Sequence, residues 1–154
     1  MKVSAGNRIL MLLENNPYSQ DNRVKQEANT LVDAGYTVSI ICPKDKKGKF
    51  YEEAREGIYL FQYPAPPEGD GIVNYFWEYG YSMLMMFIYS FVVAGWKGFD
   101  VIHTHNPPDT MFPIGAFYKI FGKKFVFDHH DLAPENYIAR FGDESKPILH
   151  RILL

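Results

Sequence analysis

The sequence predicts an α/β fold: one domain over residues 1–154, in three layers, with a parallel β-sheet carrying helices on both faces. Three observations carry this reading. Short apolar runs rich in Val, Ile and Phe recur along the chain, the mark of strands covered on both sides. Helical patterns or loops separate them. The polar residues able to do chemistry cluster where those runs end, and in an open parallel sheet the carboxyl ends of the strands are where ligands bind.

Arg8 to Leu13, Thr37 to Cys42, Ile58 to Tyr63, Asp100 to Thr104 and Lys124 to Asp128 read as strands. Between the first two, Val24, Ala28, Leu31 and Val32 recur at helical spacing, with Ser19 or Asp21 as N-cap and Gly35 at the far end, which makes a βαβ unit. The third strand follows a basic loop and the segment YEEAREG, which is too brief for a full crossover helix. PAPPEGDG is a Pro/Gly loop leading to an aromatic-rich helix from Ile72 to Trp96. Asp109 is placed to cap a helix carrying Ile114, Phe117, Tyr118 and Phe121, with Pro113 near its first turn and Gly122 closing it. At the end of the chain, Ile148, Leu149, Ile152 and Leu153 form an apolar stripe behind Ser145; the expectation is a domain continued by further chain or completed by a partner.

With 154 residues, 47% hydrophobic and 22% charged, the chain has a globular composition and is no disordered polypeptide. A net charge of −2 supplies no attraction to a polyanion, so nucleic acid is not an expected partner; the run KDKKGK, Lys44 to Lys49, reads as a solvated loop. The single cysteine, Cys42, lies in the apolar run VSIIC and has no internal disulfide partner, which places it in the core and the protein in a reducing, cytoplasmic setting. The start MKVSAGNRILMLL reads as a buried strand, because Glu14 and two asparagines follow where a signal peptide needs small residues. Aromatics reach 16% and many fall between Tyr75 and Trp96. The apolar stretch Met83 to Ala94, broken only by Ser90, falls short of the ~20 residues that span a bilayer, so a buried or interfacial helix is expected.

Three polar clusters stand at strand ends: Glu14, Asn15, Asn16, Asp21 and Arg23 after the first; His103, His105, Asn106 and Asp109 at the fourth; Asp128, His129, His130, Asp131 and Glu135 at the fifth. The first turn, ENNPYSQDNRV, lacks the glycines that let a backbone approach pyrophosphate, so no dinucleotide cofactor is expected. Asn15 and Asn16 either present amides to a hydroxyl-rich ligand or build a turn before Pro17. Arg23 either clamps an anionic group or pairs with Asp21. Imidazoles and carboxylates in HTH and DHHD are metal-ligand types, but alternation along an extended segment sends Asp128 and His130 one way and His129 and Asp131 the other, so no metal is expected. His130 is the expected catalytic residue, since a group titrating near neutrality can donate or accept a proton at a reacting centre. His103, inside its strand, reads as structural, while for His105 both roles stay open.

The stretches RILMLLENNPYSQDNRVKQEANTLVDAGYTVSIICP and FDVIHTHNPPDTMFPIGAFYKIFGKKFVFDHHDLAPE resemble the N-terminal domain of the large retaining GT-B glycosyltransferase family, family 4-like, that builds bacterial surface glycans and glycolipids. The resemblance spans nearly the whole chain, and D-x-R-V, HTHNPPD and DHHDLAPE carry it most specifically. It implies a Rossmann-like half of a GT-B fold that binds the acceptor, a sugar or a lipid-linked sugar. The donor is then a nucleotide sugar held mainly by a second domain, without a resident cofactor. His130 takes the position of a histidine that contacts the sugars near the reaction centre; Asn15, Asn16, His105, Asn106 and Asp109 line the same cleft. The resemblance also implies a place at the inner face of the membrane, with the helix from Ile72 to Trp96 as a peripheral contact. NNPYSQ replaces the glycine-rich loop of many relatives, and the paired carboxylates of the nucleotide-binding domain have no counterpart, so the chain is expected to be inactive alone. Two other readings remain. One is a binding module completed by a partner chain. The other is a DHH-type metal-dependent phosphoesterase through His105, Asp109 and Asp128 to His130, which Met111 disfavours by standing where that class needs another aspartate.

Overall fold

A computed structural model of the chain describes residues 7–14, 16–66, 72–105 and 111–128. Its elements are β1 (Arg8–Leu12), α1 (Asn22–Asp33), β2 (Thr37–Pro43), β3 (Tyr51–Arg55), β4 (Ile58–Tyr63), α2 (Ile72–Trp96), β5 (Val101–His105), α3 (Phe112–Ile120) and β6 (Lys124–Asp128). The strands form one sheet in the order β3-β4-β2-β1-β5-β6. β1 is central, flanked in parallel by β2 and β5, with β4 and β6 parallel outside them.

One strand departs from the all-parallel expectation. YEEAR forms β3, antiparallel to β4 at the sheet edge, with a register irregularity between Glu53 and Arg55. The two are joined through Gly57, whose φ of 90° is a left-handed conformation that glycine adopts without steric cost. An edge hairpin thus replaces the crossover helix, and the partly or fully exposed YEEAR suits an edge, where one side of the strand meets water.

Each face of the sheet is covered separately. Ile9, Met11, Leu13, Val38, Ile40 and Cys42 pack with Val24 and Ala28 of α1. Leu10, Leu12, Ile41, Phe61, Tyr63 and Ile102 pack with Met86 and Val93 of α2 and Ile114 and Tyr118 of α3. Asp21 caps α1, its Oδ1 accepting from the Val24 amide at 3.0 Å. Gly35 and Gly122, at φ 90° and 74°, stand just past the ends of α1 and α3 as expected. Pro113 falls in the first turn of α3, where its missing N–H costs nothing; Met111 holds the N-cap position without a side-chain hydrogen bond, and Asp109 lies outside the described residues. Burial pushes the Cys42 thiol up to about 12, so it behaves as a core side chain. Lys46, Lys47 and Lys49 are exposed, as a solvated loop requires.

α2 is longer than its uninterrupted apolar run: 25 residues, of which Phe76–Trp96 is long and apolar enough to cross a membrane. It lies against the sheet nonetheless. Ser82, Met86, Ser90 and Val93 are buried on one stripe, and the Ser90 and Tyr118 hydroxyls hydrogen-bond at 2.8 Å. The opposite side exposes Phe76, Trp77, Leu84, Ile88, Phe91 and Val92. Phe91, Phe117 and Phe121 form a ring ladder, with centroids 5.7 and 5.2 Å apart, that joins this surface to the exposed end of α3.

Two glycine substitutions test the packing. A Cβ at Gly115 would stand 2.3 Å from the Phe125 ring, so Gly115→Ala is expected to lose about 1–3 kcal/mol through overpacking. At Gly95, inside α2, nothing lies within 4 Å of the added carbon, and Gly95→Ala is expected to gain about 0.5–1 kcal/mol. Urea unfolding of both variants reads the opposite signs.

Candidate functional site

The carboxyl edge of the central strands brings together side chains distant in sequence. Met11 lies opposite His103 across β1 and β5, and His105 lies opposite Asp128 across β5 and β6. Since strand side chains alternate, His103, His105 and Asp128 share the face that α1 covers. On α1, Arg23 and Glu27 are four residues apart, one turn of helix, and so overhang the same edge.

His105 is 1% exposed. Its Nδ1 lies 3.3 Å from the Leu12 carbonyl oxygen and its Nε2 2.8 Å from Glu27 Oε2. The ring therefore ties β5 to the end of β1 and to α1 at once. His103 stacks beside it, ring centroids 4.2 Å apart. Burial, reinforced by His105, pushes the His103 imidazole down to about 4 against the pull of Glu27 and Asp128, which keeps it neutral at physiological pH. The Arg23 guanidinium stands 3.9 Å from both Asp21 and Asp128. One ligand atom each from Glu27, His103, His105 and Asp128 can be chosen so that all lie within 4.8 Å of one another, a set able to hold a metal ion.

A second polar group lies across the sheet. Glu14, two residues beyond the end of β1, turns toward α2 and is buried. Burial pushes its carboxyl up to about 8, opposed by the Ser82 hydroxyl and reinforced by Glu78. Ser82 also faces Tyr63, whose phenol burial likewise pushes up. Among the described residues, Glu14 Oε2, Ser82 Oγ and Tyr63 OH are buried without a hydrogen-bond partner.

Of the residues singled out in the sequence, Arg23, His105 and Asp128 are brought together, and Asn16 is exposed in the turn after β1. The strand β5 runs one residue further than expected, to His105, which places that histidine inside the sheet instead of in the loop beyond it. Asn15, Asn106, Asp109, His129, His130, Asp131 and Glu135 lie outside the described residues. Glu27 was missed: it carries no motif, and its four-residue spacing from Arg23 was the available signal. His103, read as structural, belongs to the cluster, and its shared parity with His105 along the strand pointed there.

The family model described as Glycosyltransferase Family 4 matches residues 20–154. No curated protein sequence matches. Among solved structures, sucrose-phosphate synthase from Thermosynechococcus elongatus superposes with a TM-score of 0.67 at 14% identity, over 96% of this chain and 39% of that one. The glycotransferase of kitacinnamycin superposes with a TM-score of 0.56 at 12% identity, over 96% of this chain and 38% of that one. At these identities the likeness is one of fold: the sheet and its helices match a Rossmann-like half of GT-B architecture, and the chain spans less than half the length of either protein.

Glu14 sets a pH dependence. Its folded-state pKa lies above the usual carboxylate value, so the native state binds the extra proton and stability falls as pH rises from about 4.5 to about 8. Glu14→Gln removes that loss. The variant is expected to match the wild type near pH 4 and to exceed it at pH 8 by on the order of a few kcal/mol, read by thermal or urea unfolding across the range.

Proposed function

Because this chain belongs to Glycosyltransferase Family 4, we propose that it is the acceptor-side half of a retaining GT-B hexosyltransferase of cell-surface polysaccharide or glycolipid synthesis. The observation that carries this reading is the polar carboxyl edge itself. Arg23, Glu27, His105 and Asp128 converge there from three elements. The partly exposed carboxylates of Glu27 and Asp128, with His105 buried behind them, suit a hydroxyl-rich acceptor, since they accept hydrogen bonds from sugar hydroxyls. The Arg23 guanidinium suits an anionic neighbour such as the phosphate of a lipid-linked acceptor or of the donor.

In this reading His130 meets the sugars at the reaction centre, two residues beyond the end of β6. Asn15, Asn16, Asn106, Asp109, His129, Asp131 and Glu135 complete the acceptor cleft. The nucleotide diphosphate is held by a second GT-B half, and transfer requires both halves. The test pairs this chain with a nucleotide-sugar-binding half and screens nucleotide sugars for diphosphate release. His130→Ala is expected to lower kcat about 100-fold or more, and full turnover in that variant rejects the assignment. Arg23→Ala is expected to raise KM for an anionic substrate.

Cytoplasmic work on a lipid-linked acceptor calls for contact with the membrane, and the aromatic outer side of α2 supports it. Trp77 is 59% and Phe76 68% exposed, beside Leu84, Ile88 and Phe91. Cosedimentation with lipid vesicles is expected for the wild type and at least tenfold weaker for Trp77→Glu combined with Leu84→Glu; equal binding by both removes α2 as the contact.

A further inference from the structure

We propose that Glu27, His103, His105 and Asp128 form a site for one divalent transition-metal ion of the zinc class, which clamps α1 onto the carboxyl ends of β5 and β6. The site shares Glu27, His105 and Asp128 with the edge that carries the transferase reading, and it is tested without turnover, so the two can fail separately.

Ligand chemistry is the first support. Two imidazoles and two carboxylates make the mixed nitrogen and oxygen set that zinc accepts in four-coordinate sites. These four come from three different elements: β5 supplies both histidines, β6 the aspartate and α1 the glutamate. Their ligand atoms lie within 4.8 Å of one another. Around an ion bonded at ~2.0–2.2 Å, tetrahedral neighbours stand roughly 3.3–3.6 Å apart, so a separation at the 4.8 Å limit contracts by about 1.2–1.5 Å and the 2.8 Å between His105 Nε2 and Glu27 Oε2 opens by about 0.5–0.8 Å. The Glu27 and Asp128 side chains, 30% and 32% exposed, have room for that adjustment, while His105, 1% exposed, supplies the fixed point.

The second support is the other side of the His105 ring. A metal-binding histidine characteristically donates its second N–H to a backbone carbonyl or carboxylate, which sets tautomer and orientation. Here Nδ1 meets the Leu12 carbonyl at 3.3 Å, a pure acceptor. With the proton on Nδ1, the Nε2 lone pair points at Glu27 Oε2 across 2.8 Å. A proton on Nε2 also fills that gap, as a hydrogen bond to Glu27; an ion ligated by both atoms takes the place of that proton. His103, stacked at 4.2 Å, and Asp128, opposite His105 across the ladder, close the remaining sides.

The experiment uses the full chain, stripped with chelator and titrated with zinc chloride, reading heat, bound metal after desalting and thermal unfolding. Cobalt(II) then replaces zinc to show the visible band of a tetrahedral site. The expected result is one ion per chain and a raised Tm, with affinity at least tenfold lower in Glu27→Gln and in Asp128→Asn. Both variants keep side-chain volume at partly exposed positions, so they remain informative where a histidine variant does not fold; unfolding without metal confirms that they do. No stoichiometric ion overturns the proposal. So does zinc that survives both substitutions, or that leaves instead with His129→Ala combined with His130→Ala.

Discussion

The structure depends on β1 being buried on both of its faces. Leu10 and Leu12 face α2 and α3, while Ile9, Met11 and Leu13 face α1, and every one of them is nearly inaccessible to water. A strand so placed accepts polar side chains only where it ends, since an unpaired polar group in that interior costs more than its neighbours can return. Its neighbours β2 and β5 admit only small or neutral polar side chains within their length, Ser39 in β2 and His103 and Thr104 in β5. The charged side chains of the parallel strands are thereby pushed to the strand ends, and those at the carboxyl edge converge because the strands run parallel.

Arg8 and Asp100 show the same rule at the opposite edge. The guanidinium meets the carboxylate at 2.9 Å and the Lys97 carbonyl at 3.2 Å, joining the start of β1 to the approach to β5. Gly98, at φ 68°, leaves room for it: a Cβ there would stand 2.4 Å from Arg8 Nη1. One end of the sheet is thus closed by a structural ion pair. The other end holds His103, His105, Glu27, Asp128 and Arg23, where the charges are mixed and the partners are side chains from three elements.

α2 serves two environments along its length. Its buried stripe of Ser82, Met86, Ser90 and Val93 is narrow and contains two hydroxyls, while much of its aromatic mass faces outward. A helix that were only core would place its largest rings inward. The rings instead continue through Phe91, Phe117 and Phe121 to α3, giving one broad apolar surface shared by both helices. Length and composition alone do not distinguish such a helix from a membrane span; in this fold Met86 and Val93 pack against the sheet.

Period and punctuation in the sequence by themselves determined the α/β class, the five parallel strands, the capped α1, the glycines closing α1 and α3 and the core position of Cys42. Those features follow from local rules: alternating or continuous burial, N-caps and left-handed glycines. The tertiary structure alone decided three others. YEEAR became an edge strand because β4 had a free side to pair with, which no local pattern announces. Glu27 joined the histidines because packing brings its side chain on α1 to His105 on β5, a contact between residues 78 positions apart in the chain. Glu14 turned toward α2 and lost its water because the strand before it is fully enclosed, and its raised pKa comes from that enclosure. Burial and long-range proximity are properties of the packed chain, so the chemistry of its strand ends became readable only once the strands stood side by side.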